Sequence, residues 1–251
     1  MKRFLGAALL TVMAAVPVNP TRADEPEAKA VLDRAIKAAG GEEVLGKARV
    51  ITWKTKGTIT FGDNDNEFTG QTTAQGLDRF RSEFEGDFNG NTVEGVTVID
   101  GDKGWRKFGE ETMDLGDEEV AREKRNLYLQ IVPALLLPLK GDGFKVVSVA
   151  EEKIGDKPAT VLKIAGPDGK DFTISFDKAS GLPVKTVATV SGFQGEDFTQ
   201  ESTFAAYKDF GGIKKATKLE SKRDGERFVE AEITDFKVLE KAEAGTFTEP
   251  E

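Results

Sequence analysis

The chain contains neither cysteine nor histidine, and these two absences exclude most of the common protein chemistries. Without histidine there is no Ser-His-Asp triad, no imidazole metal cluster and no ordinary haem ligand. Without cysteine there is no thiol nucleophile, thiolate zinc site, disulfide or lipid-attachment residue. Catalysis would have to rest on Asp, Glu, Lys, Ser, Thr or Tyr, and tyrosine occurs only twice. Neither phosphate-cradling glycine pattern, Gly-x-x-x-x-Gly-Lys-Ser/Thr or Gly-x-Gly-x-x-Gly, occurs, so nucleotide chemistry has no visible support. Positive charge is in deficit: 35 basic against 44 acidic side chains give a formal charge of -9. Nucleic acids and anionic membrane surfaces both select for basic clusters, so neither is an expected partner.

The first 23 residues read as a secretory leader. Lys2 and Arg3 form a basic start, Phe4 to Val16 is apolar, and Thr21-Arg22-Ala23 is a small-x-small cleavage site. The apolar stretch is too short to cross a hydrocarbon layer of about 30 Å, and no later segment reaches about 18 apolar residues, so the mature chain has no expected transmembrane span. Cleavage after Ala23 would release residues 24–251 with a charge of -12, in the periplasm or outside the cell. A chain of that length without disulfides depends on a large apolar core.

Residues 24–251 read as one domain. Ala28, Val31, Leu32, Ala35, Ile36 and Ala39 follow helical spacing, ended by Gly40-Gly41. The period then changes to two: Ile51, Trp53, Thr55, Gly57, Ile59 and Phe61 share one face of a strand. Strands follow at about 67–76, 77–85, 92–99 and 104–109, then at 144–150, 159–165, 171–177, 184–190, 197–207, 213–221 and 226–238. A helical insertion from about 117 to 139 divides the two series, with Asp117 as N-cap and Val120, Leu127 and Ile131 on one stripe. The fold class is mainly β (α+β): one large curved antiparallel sheet of about 11–12 strands, with the N-terminal helix and the insertion covering its concave face.

Two short patterns suggest chemistry, and each has a simpler reading. Asp63-Asn64-Asp65-Asn66-Glu67 spaces oxygen side chains like a calcium loop, but Phe68 and Ala74 stand where an EF-hand needs Gly and Glu, so a hairpin turn is expected. Ser175-x-x-Lys178 matches a serine acyl-enzyme pattern, yet on a strand the two side chains point to opposite faces. No catalytic residue, metal site or cofactor is expected, and the chain is read as a non-enzyme.

The segment Ile131 to Leu139 is nearly continuously apolar and carries Pro133 and Pro138, which should prevent one regular helix. Two readings stay open: plain core, or a lid or wall of a cavity. On the second reading Leu127, Ile131, Val132, Leu135, Leu136 and Leu137, with Trp53 and Trp105 from the strands, are the candidate lining residues.

The order of elements, together with Asp177-Lys178-Ala179-Ser180-Gly181-Leu182-Pro183, Tyr207-Lys208-Asp209-Phe210-Gly211-Gly212-Ile213 and the closing Phe247-Thr248-Glu249-Pro250, resembles the LolA/LolB-like superfamily of lipoprotein-sorting and carrier proteins. The resemblance implies an open half-barrel closed by helices, and a periplasmic protein holding a lipid, acyl chain or acylated lipoprotein. The alternative is an envelope regulator or scaffold that binds a protein at the barrel rim over a filled core.

Overall fold

The computed structural model describes residues 21–22, 25–62, 64–88, 90–192 and 195–251. Of the expected leader only Thr21–Arg22 falls among them, as a two-residue strand β1; the rest lies outside the described residues. Helices α1 (Glu25–Ala39) and α2 (Glu42–Leu45) precede a first meander of β2 (Val50–Phe61), β3 (Asn64–Gln75), β4 (Arg79–Phe88), β5 (Asn91–Asp100), β6 (Lys103–Phe108) and β7 (Glu111–Asp114). Helix α3 (Asp117–Leu135) and a 3-10 turn (Leu137–Lys140) follow. The second meander comprises β8 (Lys145–Ile154), β9 (Lys157–Ala165), β10 (Asp171–Asp177), β11 (Pro183–Ser191), β12 (Asp197–Phe210), β13 (Ile213–Arg223) and β14 (Glu226–Leu239).

All fourteen strands form one antiparallel sheet in the order β1-β8-β9-β10-β11-β12-β13-β14-β2-β3-β4-β5-β6-β7. The two meanders join where β14 pairs with β2, from Val229 opposite Ile59 to Leu239 opposite Val50. The sheet does not close: β1 and β7 are its edges. This is the single antiparallel sheet expected from the strand series, and its open edges make it the half-barrel that the family resemblance implies. The two extra strands, β1 and β7, are too short to show a period of two. The polar run after Phe61 belongs to β3 rather than to a turn: the connection starts at Gly62 (φ 60°), and Asp63 lies outside the described residues. Asn66 is buried and donates to the Ile59 and Asn64 carbonyls, while Asp65 accepts from Thr60 and from Arg227. The Asp65 carboxylate is thus already engaged within the protein.

Directly opposed residues of an antiparallel sheet share a face. Ile51, Ala74, Phe80, Ile99 and Gly104 therefore form one row across β2 to β6, and all are buried. A Cβ at Gly104 would come within about 3 Å of Val120 of α3, which identifies this row as the concave face. In the second meander Val149, Leu162, Ile164, Phe172 and Ile174 are buried in the same core cluster as the helices. Helix α1 contributes Leu32, Ala35, Ile36 and Ala39, with Val31 half-buried. It stops because Gly41 (φ 84°) turns its N–H back to the Ile36 carbonyl, and because Gly40 sits against the Gly212 carbonyl, where any Cβ would lie 2.3 Å away.

Helix α3 is capped one residue earlier than expected, and Asp117 is its first helical residue rather than its cap. Gly116 is the N-cap, and its N–H donates to the Glu119 carboxylate at 3.1 Å. The helix is tied to both halves of the sheet. Near its start, Arg106 of β6 donates to Glu123 at 2.7 Å. Further along, the buried Arg125 donates to the Thr189 carbonyl (2.9 Å) and to Asp168 (2.8 Å), and Tyr128 donates to the other Asp168 oxygen (2.9 Å). Arg125 also donates to the Tyr128 hydroxyl. Gly166 makes room for that hydroxyl, which would lie 2.7 Å from a Cβ there. Replacing Asp168 by Ala leaves the Arg125 cation buried without its counter-charge; we expect a loss of about 3 kcal/mol in urea unfolding, whereas Tyr128→Phe should cost about 1 kcal/mol.

Candidate functional site

Helix α3 has two working faces. Val120, Leu127, Tyr128, Ile131, Val132 and Leu135 are buried in the core. Glu123, Asn126, Leu129, Gln130, Pro133 and Ala134, on the neighbouring face, border a cavity of about 390 Å³ between the helix and the sheet. That volume lies in the range of small-molecule sites. The opposite wall comes from five strands: Trp53 and Thr55 of β2, Ala188 and Val190 of β11, Phe204 and Tyr207 of β12, Leu219 of β13, and Ala231 and Ile233 of β14.

Backbone irregularities shape this wall. The β13–β14 register shifts so that Ser221 opposes Val229 while Lys222 opposes Arg227, leaving Phe228 as an extra bulged residue. Both Phe228 and Val229 consequently line the cavity. On β12, Ala206 adopts a left-handed conformation (φ 53°), and the lining passes from the even residues Gln200, Ser202 and Phe204 to Tyr207. The Ala206 carbonyl accepts from Thr217 at 2.7 Å, and the Tyr207 hydroxyl donates to the Pro183 carbonyl at 2.5 Å.

The polar groups of the wall are mostly satisfied within the protein. Ser202 and Ser221 bond each other at 2.7 Å, and both are buried. Arg223 donates to Gln200 at 3.2 Å and stacks over Phe228, 3.6 Å from the ring centroid, and over Phe198 at 5.1 Å. Burial pulls the Arg223 guanidinium below its ordinary pKa. The Glu123 carboxylate is committed to Arg106. Lys215 differs. It lines the cavity, and among the described residues its ammonium faces only the rings of Phe236 (5.5 Å) and Trp53 (5.8 Å). Burial pushes its pKa down to about 8.

The candidates named from sequence divide sharply. Trp53 is on the cavity wall. Trp105 opposes Val98, on the face turned away from Arg106 and α3, and does not line the cavity. Leu127, Ile131, Val132, Leu135 and Leu136 are core residues, with Leu136 fully buried, and Leu137 is half-buried; none of the six borders the cavity. The helix runs through Pro133 and breaks at Leu136 (φ 60°), where the 3-10 turn carrying Pro138 begins. Pro133 and Ala134 are the only parts of the apolar segment that reach the cavity. Ser175 bonds Glu152 while Lys178 bonds Glu151, so the two serve separate carboxylates. Sequence reading missed Lys215, Arg223 and Phe228. Lys215 had a visible signal, since it occupies an inward position of β13 between Ile213 and Leu219.

No family model matches the chain, and no curated protein matches it in sequence. Solved structures do match. A LolA superfamily protein from Nitrosomonas europaea is similar at 12% identity and TM-score 0.58, covering 88% of this chain and 97% of its own. A DUF1329 family protein from Desulfovibrio piger is similar at 13% identity and TM-score 0.53, covering 84% and 92%. A domain from Vibrio parahaemolyticus assigned to outer membrane lipoprotein sorting gives 12% and 0.50, covering 86% and 97%. The fold is LolA-like. No helix among the described residues is long and apolar enough to cross a membrane.

Two outcomes test the division between core and cavity. Leu136→Ala should cost roughly 2–5 kcal/mol of unfolding free energy and leave the affinity for a fluorescent fatty-acid probe unchanged. Lys215 supplies the second. Its folded pKa lies below the unfolded value of 10.5, so its charged form opposes folding, and that cost is relieved as pH rises through the interval between about 8 and 10.5. Lys215→Met should be more stable than the parent chain at pH 7, with the gap closing by up to about 1.4 kcal/mol per pKa unit across that window; parallel urea melts from pH 7 to 10.5 measure it.

Proposed function

We propose that the protein is a non-catalytic envelope binder that holds a lipid, an acyl chain or an acylated protein in the cavity under α3. The observation that carries this reading is the cavity itself: about 390 Å³, walled by Trp53, Ala188, Val190, Phe204, Leu219, Ala231 and Ile233. An acyl chain entering it would gain about 0.8 kcal/mol per buried methylene, reduced by the cost of association and chain ordering. A lipoprotein-sorting assignment attaches to the Vibrio parahaemolyticus domain that shares the fold. The leader at residues 1–23 supports delivery beyond the inner membrane. A binding role also suits the polar lining, in which Glu123, Ser202 and Ser221 are each engaged by another protein group.

A second reading, docking of a protein partner at the rim, has its own observation. On β2 to β6, beyond the rows that face α3, Phe61, Phe84, Phe88, Val93 and Phe108 occupy the same side of the sheet. Phe61, Val93 and Phe108 are 53%, 37% and 38% exposed. Glycines make space for the rings: Cβ atoms at Gly86 and Gly95 would lie 2.8 Å from Phe84, Phe88 and Phe108.

Mass spectrometry of organic extracts of the purified protein should show co-purified acyl lipid. Ala134→Phe on the cavity face of α3 should weaken fatty-acid probe binding at least about tenfold, by occupying the space that the chain needs, while the melting temperature changes little because Ala134 is only half-buried. A lipid-free extract and unchanged probe affinity in folded Ala134→Phe would favour the rim reading.

A further inference from the structure

We infer that the cavity selects a single-chain amphiphile with an anionic head, a carboxylate or phosphate, and that the head binds Lys215 at the inner end while the chain runs along β13 toward Phe228. This rests on the reading of the cavity as an acyl-chain site and adds to it the charge and direction of the occupant.

The charge follows from which groups are already paired. A protein with a formal charge of -9 presents two cations on this wall, Lys215 and Arg223, against one described carboxylate, that of Glu123, which Arg106 already holds at 2.7 Å. Arg223 has Gln200, two aromatic rings and the charge of Glu196 for company, and the exposed Lys218 opposes Glu232 on the other face of the sheet. Lys215 has only rings: among the described residues no oxygen lies within hydrogen-bond reach of its ammonium. An ammonium in that setting is costly to keep unless something compensates it, and an anion entering with the ligand would do so through charge-assisted hydrogen bonds. Burial alone accounts for the depressed pKa of Lys215, with no described charge opposing it.

The direction follows from position. Lys215 and Arg223 face the same cavity from opposite ends of one strand, eight residues apart, so about 26 Å separates their backbones. A bilayer core of about 30 Å is spanned by two acyl chains end to end, so one such chain fits within that length. The intervening wall, Phe204, Leu219, Ala231 and the mutually bonded Ser202 and Ser221, makes no demand for a polar ligand. The Lys215 end is enclosed by Trp53, Phe236 and Tyr207, of which Trp53 and Phe236 are buried, whereas the Arg223 end lies beside the half-buried Phe228 and the exposed β13–β14 turn. Lys215 and Arg223 are both half-buried, but the buried rings lie at the Lys215 end, so the head sits there and the tail runs toward the β13–β14 turn.

Calorimetric titration with palmitate, hexadecyl phosphate and hexadecanol tests this on the full mature chain and on Lys215→Met, Lys215→Gln, Lys215→Arg and Arg223→Gln, each checked for folding by circular dichroism. The parent chain should prefer at least one of the two anions over hexadecanol by about tenfold or more, and which anion is preferred identifies the head group. Lys215→Met and Lys215→Gln should lose that preference while retaining hexadecanol binding; Lys215→Arg and Arg223→Gln should keep it. Equal binding of all three by the parent chain, a preference that survives in folded Lys215→Met or Lys215→Gln, or one lost in Arg223→Gln instead, would overturn the head-group assignment and leave the cavity reading intact. Binding of none of the three would overturn both.

Discussion

The pairing of β14 with β2 is the constraint on which the rest of the structure depends. It places the last strand of the second meander beside the first strand of the first, so the two meanders extend outward in opposite directions from a common seam. The chain leaves the first meander at β7, one edge of the sheet, and resumes at β8, next to the other edge. The connection must then cross the full width of the sheet. A flexible loop of that span would expose backbone and cost ordering entropy; a 19-residue helix, about 28 Å long, crosses it with its own hydrogen bonds satisfied. Arg106 with Glu123 on one side and Arg125 with Asp168 on the other fix the crossing angle. Because each pair ties the helix to a different meander, α3 also holds the curvature of a sheet that has no closing strand.

A helix crossing a concave sheet touches it along one stripe and stands away from it along another. The gap is filled or left open according to the side chains offered there. Opposite the cavity face of α3 the sheet offers Thr55, Ala188, Ser202, Ala216, Ser221 and Ala231, and the helix offers Pro133 and Ala134. Small residues at so many facing positions create space by omission. The larger groups at the cavity, Trp53, Phe204, Tyr207 and Phe228, each have a partner or a structural reason for their place: Tyr207 bonds Pro183, Trp53 lies by Lys215, and Phe228 is turned inward by a bulge. Pro133 cannot supply an N–H to the Leu129 carbonyl, and both residues lie on the cavity side, where the crowding of a core packing face is absent.

The strands were legible because burial on one face writes a period of two into the side chains: Ile51, Trp53 and Thr55 on β2, Phe172, Ile174 and Phe176 on β10. The helices were legible for the matching reason at 3.6. What the periodicities do not carry is the identity of the surface that each face meets. Leu127, Ile131 and Leu135 form the most apolar stripe of α3 and meet the core; Asn126 and Gln130, which gave no signal, meet the cavity. A cavity with a polar end tolerates amides that a core rejects. Trp105 was misplaced by one position of register: Arg106, not Trp105, continues the row from Trp53 through Thr72, Ser82 and Thr97. Phe228 was hidden for a similar reason, since a single bulged residue breaks alternation without leaving a compositional trace. Lys215 was readable by parity but looked like one more surface lysine in a strand that begins Ile-Lys-Lys.

The lining of the cavity decides what can fill it. Water is well accommodated near Gln200, Gln130 and Lys215, and poorly along Val190, Phe204, Leu219 and Ile233, where it finds no hydrogen-bond partners. On the proposed reading an amphiphile would reverse both defects at once, its chain replacing the water that the apolar wall holds badly and its head supplying an oxygen to Lys215. The lysine that opposes folding would then become a source of differential affinity, and a bound ligand would return stability to the protein in proportion to how fully it satisfied the two ends of the cavity.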